Sequence, residues 1–222
     1  MEIVDYPEIV EETSRWVINR TWELTGVNRT AGIHLTELIY CLTAGYYDKI
    51  LPLSYTRQQA LTMTLGIALE RVIIPEDKRA KPGTCEGVEY SPDFWLRTDM
   101  PSELKTTRMS TKKTIERNFP VTWVQQIMGY CYAEKKLEYG LSVVHLMGGY
   151  KPPFPEILGV RFIFTQQELQ DNWDYLMWRK GVYIQGFADQ MPPTATKWCQ
   201  DWECNYCRYA TSAIHCNIKQ AV

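Results

Sequence analysis

The run Ser91-Pro92-Asp93-Phe94-Trp95-Leu96-Arg97-Thr98-Asp99-Met100-Pro101-Ser102-Glu103-Leu104-Lys105 decides how the chain is read. Thr98-Asp99-Met100-Pro101 is rich in turn formers, so the flanking segments, Gly87–Leu96 and Ser102–Thr107, are expected to be two strands of a hairpin. Side chains alternate along a strand, which puts Glu103 and Lys105 on one face and Leu104 on the other, toward the core. A simple hairpin sets Lys105 roughly opposite Phe94, with Asp93 beside it and about a pleat from Glu103. Two carboxylates and a lysine then converge on one small volume, at a place solvent can reach. Charges on a hairpin are most often only a solvated face, so the cluster alone does not establish a site.

Upstream of this hairpin the pattern is helical, over Tyr6–Glu23, Leu35–Ile50 and Thr56–Ile73, with Thr56 as a cap and Pro75 as a stop. Downstream, Val121–Lys136 is again helical. Leu141–Leu146 and Ile157–Phe164 are β-branched runs of the kind that form buried strands. Thr165 and Glu168 make a capping box for a long helix carrying Leu169, Trp173 and Met177 on one face. Met191-Pro192-Pro193 ends regular structure. The order describes one α/β domain over residues 1–222, its mixed central sheet flanked by helices: an N-terminal helical part to residue 75, a core over 85–190, and a tail over 194–222. Segregated helices, and the lack of a Gly-rich phosphate loop, exclude a doubly wound nucleotide-binding sheet.

The chain of 222 residues is 45% hydrophobic and 23% charged, the balance of a globular protein. With 24 basic and 26 acidic residues its net charge is −2, which excludes a globally basic nucleic-acid binder. Local charge differs: Lys105, Arg108, Lys112, Lys113 and Arg117 face only Glu116 in their segment. A cationic loop at Arg108–Arg117 would contact backbone phosphates. The longest apolar runs are strand-sized and the N-terminus is acidic, so the expectation is a soluble, cytoplasmic protein with no membrane segment. Of seven cysteines, Cys199, Cys204, Cys207 and Cys216 crowd near the C-terminus. Cys204-x2-Cys207 followed by Cys216 reads as metal or iron–sulfur ligation. Cys85 and Cys131 read as small buried hydrophobes. His145, in a strand-like run, reads as a satisfied core residue, whereas His34 and His215 flank candidate cluster cysteines.

Pro92-Asp93 with Glu103-Leu104-Lys105 resembles the signature of the PD-(D/E)XK nucleases. Gln126 and Tyr130, four apart on one helix face, resemble the QxxxY motif of the RecB-like branch, and Gly66-Ile67-Ala68-Leu69-Glu70 resembles its first motif. Leu35-Thr36-Glu37-Leu38-Ile39-Tyr40-Cys41 resembles the helix that brings the first iron–sulfur cysteine to the CRISPR-associated RecB-like exonucleases. The likeness runs from about Leu35 to Cys216.

That resemblance implies a restriction-endonuclease-like core with a cysteine tail. It implies Mg²⁺ or Mn²⁺ held by Asp93, Glu103, the Leu104 carbonyl and Glu70, water oriented by Lys105, and Gln126 and Tyr130 as positioning groups. It also implies a [4Fe–4S] cluster on Cys41, Cys204, Cys207 and Cys216. The function implied is a DNA exonuclease acting on single strands or ends in CRISPR adaptation, with integrase proteins as partners. A phage or mobile-element recombination exonuclease would use the same chemistry, and a non-catalytic DNA-binding iron–sulfur or zinc module is a third reading. By spacing alone a local site of Cys199, Cys204, Cys207 and Cys216 stands beside the set that includes Cys41, because short loops close at lower entropic cost.

Overall fold

Four helices come first in the computed structural model, which describes residues 7–25, 32–96, 99–152, 154–193 and 201–210: α1 (Pro7–Thr25), α2 (Leu35–Ile39), α3 (Leu42–Ile50) and α4 (Arg57–Ile73). Thr56 caps α4, its hydroxyl accepting the Gln59 N–H at 3.2 Å while the Gln59 side chain returns to the Thr56 N–H at 2.9 Å. The expected single helix Leu35–Ile50 is two. It breaks at Tyr40, whose carbonyl accepts Arg179 Nη2 at 2.5 Å, and Cys41 becomes the cap residue of α3 rather than a residue on a helix face.

The central segment also departs from the expected long hairpin. Pro92 cannot donate to a ladder, and the strand expected over Gly87–Leu96 divides there. Its first part, β2 (Val88–Tyr90), pairs with β1 (Gly83–Cys85) in a separate small hairpin, and its second, β3 (Phe94–Trp95), pairs with β4 (Pro101–Thr107). Phe94 stands opposite Ser102, so Lys105 is not across from it as the hairpin reading placed it. The Leu96 N–H donates to the Met100 carbonyl at 3.2 Å and closes the loop, of which Arg97 and Thr98 lie outside the described residues.

After β4 the chain crosses through α5 (Thr111–Ile115) and α6 (Val121–Glu134) to β5 (Glu138–His145), which lies parallel to β4; β6 (Glu156–Ile163) then returns antiparallel. The sheet is therefore mixed, in the order β3-β4-β5-β6. The long helix α7 (Gln166–Ala188) begins at the Thr165–Glu168 capping box and buries Leu169, Trp173 and Leu176, and the short α8 (Asp201–Tyr206) follows. Leu141 and Val143 of β5 join Leu35, Leu38, Ile127 and Trp173 in the main core.

The parallel register aligns Glu103 with Leu141 and Lys105 with Val143. Both charged side chains thus lie on the main-core face, under α6. Leu104, expected on the core side, instead faces a small separate cluster with Ile74 and Val144. The alignment with β5 decides this, since partners side by side in a sheet share a face. β6 was expected to be buried on both faces, but its residues alternate between half-buried and exposed, as suits an edge strand with one open face. No helix among the described residues is long and apolar enough to cross a membrane.

Gly140 draws β5 against β4 immediately before Glu103. A Cβ on Gly140 would stand 2.5 Å from Ser102 Oγ and 3.3 Å from Ser102 Cβ, and Ser102 is buried. Gly140→Ala is expected to lower stability by about 1–3 kcal/mol in denaturant titration. Adding Ser102→Gly should recover part of that loss, because the two positions share one contact.

Candidate active site

The site starts from the end of β3. Continuing the β3–β4 register would place Pro92 opposite Leu104, where the chain has already left the ladder. The Asp93 carboxylate takes over, its Oδ2 accepting the Leu104 N–H at 2.8 Å. Asp93 is thereby fixed to the strand that carries Glu103 and Lys105.

Glu103 is 3% exposed. A buried carboxylate needs donors, and three supply it: Lys105 Nζ to Oε1 at 2.6 Å, Gln126 Nε2 to Oε1 at 3.0 Å, and the Tyr139 hydroxyl to Oε2 at 3.3 Å. Gln126 also accepts from Lys105 Nζ at 2.8 Å through Oε1, and its Nε2 donates to the Tyr130 hydroxyl at 2.8 Å. Gln126 and Tyr130 share the inner face of α6, one turn apart, as their spacing requires. The structure thus brings Asp93, Glu103, Lys105, Gln126 and Tyr130 into one connected cluster.

Burial first, then the Glu103 charge, pushes the Asp93 carboxyl up to about 8, against the pull of the Leu104 N–H and Lys105; Glu70 adds to the push. Burial opposes the Lys105 ammonium, but the charge of Glu103 and their hydrogen bond outweigh it, and Lys105 sits above its ordinary value. Tyr130 and Tyr139 are raised well above theirs by burial and by Glu103, so both hydroxyls stay neutral. Glu70 approaches from α4. Arg79 Nη1 holds it at 3.3 Å, and the same guanidinium caps the carbonyls of Glu70, Arg71 and Ile74 at the helix end. The next residue, Ala80, donates to the Asp93 carbonyl at 3.2 Å, so one short segment ties the end of α4 to Asp93.

The donor chemistry fits a hard divalent cation: carboxylate oxygens, a main-chain carbonyl, and the Glu103 charge that adds to burial in raising the Asp93 pKa. Among the described residues no three His, Cys, Asp or Glu side chains close around one point. Asp93 and Glu103 would be side-chain ligands, with Glu70, Leu104 O, water or substrate oxygens as the further donors. Glu70 is paired to Arg79.

The other expected groups lie elsewhere. The basic segment Arg108–Arg117 is not a plain loop, because it contains α5. Thr114 and the Met109 carbonyl bond the buried His145 ring at 3.0 and 2.7 Å, so His145 is a satisfied core residue that anchors this segment. Arg108, Lys112, Lys113 and Arg117 are all exposed there, with Lys112 3.5 Å from Glu116. Cys41, Cys204 and Cys207 line a common cavity of about 620 Å³ with Glu203, whose Oε2 accepts the Cys41 N–H at 3.0 Å. Burial raises the Cys41 thiol, and the charges of Cys207 and Glu203 add to this. Cys216, Cys199 and His215 lie outside the described residues. His34 stands 3.3 Å from Glu89 rather than among these cysteines, and Cys131 is buried in the main core.

Sequence reading missed Tyr139 and Arg79. Tyr139 immediately precedes the glycine that pairs with Ser102, so only the parallel register across the α5–α6 crossover could have revealed it.

No family model and no curated protein matches the chain. Solved structures do. The crystal structure of SSO0001 is 16% identical, with 93% of this chain and 96% of that one covered at a TM-score of 0.56. The alkaline exonuclease LHK-Exo from Laribacter hongkongensis, in complex with dAMP, is 12% identical, with 73% and 92% covered at a TM-score of 0.51. These likenesses show the shared fold.

The Asp93 shift sets a pH dependence for the metal-free protein. A carboxyl whose folded pKa lies near 8 rather than in the ordinary range binds more protons folded than unfolded, so its stabilising contribution is complete at acid pH and is lost progressively as pH rises from the ordinary carboxylate range to about 8. In EDTA the melting temperature should fall over that window. Asp93→Asn, which cannot titrate, should flatten the slope.

Proposed function

We propose that the protein is a metal-dependent deoxyribonuclease, a DNA exonuclease of the restriction-endonuclease-like kind. The observation that carries this is the convergence of Asp93, Glu103 and Lys105 with Gln126 and Tyr130 in one bonded cluster, on a fold shared with an exonuclease. Asp93 and Glu103, with the Leu104 carbonyl, would hold Mg²⁺ or Mn²⁺. A bound divalent ion supplies Lewis acidity toward a phosphate oxygen and a lowered pKa for its water. Lys105, held by Glu103 and Gln126, donates toward the attacking water or the charge developing on the phosphate; its ion pair keeps it an orienting cation rather than a base. Gln126 and Tyr130 fix the position of that ammonium. Arg108, Lys112, Lys113 and Arg117 are the exposed cations we assign to DNA backbone contact, on single strands or ends.

The resemblance carried by the cysteines adds a [4Fe–4S] cluster on Cys41, Cys204, Cys207 and Cys216, and a setting in CRISPR adaptation with integrase proteins as partners. Cys41 lines the same cavity as Cys204 and Cys207, which is consistent with a ligand set that includes it. A phage or mobile-element recombination role uses the same site. Co-purification with integrase proteins separates the two settings.

In Mg²⁺ or Mn²⁺ the purified protein should degrade linear DNA, and in EDTA it should not. Glu103 is too buried for truncation to be a clean test, since Glu103→Ala would leave three donors unanswered. Asp93→Asn, Glu103→Gln and Lys105→Met should each slow cleavage by roughly 100-fold or more. Wild-type rates in all three would overturn the assignment.

Anaerobically purified protein should be brown. Cys41→Ser should lose the visible thiolate-to-iron absorption and several degrees of melting temperature, whereas Cys199→Ser should keep both. A colourless, zinc-loaded protein would place a structural zinc there instead.

A further inference from the structure

Among the described residues β6 is the outermost strand of the sheet, with α5 packed against it and no further strand beside it. The Phe164 N–H donates to the Leu137 carbonyl at 2.8 Å, in the same register as the β5–β6 ladder. By alternation, Glu156, Leu158, Val160 and Phe162 bond inward to β5. The N–H and C=O groups of Ile157, Gly159, Arg161 and Ile163 therefore point outward, and no hydrogen bond joins them to another described residue on that side. Edge strands are ordinarily blunted by proline, a bulge or repeated charge. Here the ladder is regular and the outward set holds one charge, Arg161.

Two further features are unexplained by the described residues of the single chain. Ile157 and Ile163 are 64% and 63% exposed at opposite ends of one strand face. Between them lies Gly159, where a Cβ would meet only the Leu141 carbonyl, at an ordinary 3.8 Å, and where φ is not left-handed. Nothing among the described residues requires a glycine there. An interior strand glycine weakens its strand unless another main chain or side chain comes close.

We infer that β6 pairs antiparallel with β6 of a second copy of this chain, about a two-fold axis at Val160, joining the two sheets into one. Only outward-facing residues can form the hydrogen-bonded pairs, which restricts the axis to registers that set odd-numbered residues opposite one another. An axis at Gly159 sets Ile157 against Arg161 and leaves Ile163 against Pro155, which has no N–H to give. An axis at Arg161 sets that guanidinium against its own copy. An axis at Val160 sets Ile157 against Ile163 twice, covering both exposed isoleucines, and sets Arg161 against Gly159. The absent side chain then leaves Arg161 uncrowded by the partner strand while its guanidinium keeps its pair with Glu138 of β5 at 3.4 Å. Charge, apolar match and the glycine select the same register, and such an isologous contact closes on itself as a dimer.

Light scattering coupled to size exclusion should give twice the 25.9 kDa of the chain. Ile157→Lys and Ile163→Lys, at exposed positions, should leave the monomer fold and circular dichroism unchanged and weaken association by roughly 100-fold or more. Gly159→Val, favourable for an isolated strand, should do the same by crowding Arg161. The double variant Ile157→Cys/Ile163→Cys should form an intermolecular disulfide on mild oxidation that neither single variant forms, since hydrogen-bonded partners across the pair stand within bridging distance. A monomeric wild-type protein overturns the inference. So does a dimer that survives all three single substitutions, which would place the interface on another surface.

Discussion

A carboxylate carried under a helix by its strand must be answered by donors or be neutralised, and the arrangement around Glu103 follows from that requirement. Lys105 supplies charge from the same strand, Gln126 supplies an amide from α6, and Tyr139 supplies a hydroxyl from β5. Each donor is itself constrained. Lys105 is bonded to Gln126, Gln126 to Tyr130, and the Tyr130 ring lies against those of Tyr90 and Tyr139. The network joins the strand pair β4–β5 to the crossover helix, so the same bonds that fix the site also fix the docking of α6 on the sheet.

Asp93 extends the cluster outward by a different device. Where Pro92 ends the β3 ladder, the Asp93 side chain accepts the strand N–H that the main chain would have taken. Burial first, and then the unbalanced negative charge of Glu103 beside it, raise its pKa to about 8. A divalent ion bound there would relieve that imbalance. The strain in the charge distribution and the proposed chemistry thus have one origin.

Local signals in the sequence were sufficient for elements whose causes are local. The caps at Thr56 and Thr165, the Gln126–Tyr130 face and the position of β5 all depend on residues within a turn or a strand length. Three features depend on distant partners and could not be read that way. The break at Tyr40 exists because Arg179, 139 residues away, takes its carbonyl. The early end of the β3 ladder goes with the Asp93 side chain taking the Leu104 N–H, eleven residues away. The burial of Glu103 and Lys105 depends on alignment with Leu141 and Val143 across the crossover, and a rule that sends charge to solvent inverts the faces of β4.

The claim that this buried, donor-saturated cluster is a divalent-metal site is tested most directly by anomalous diffraction from a crystal soaked in Mn²⁺. The account predicts a manganese peak within coordination distance of Asp93 and Glu103 carboxylate oxygens, lost in Asp93→Asn. Manganese absent from this cluster in crystals that bind it elsewhere, or a peak unchanged in Asp93→Asn, would contradict it.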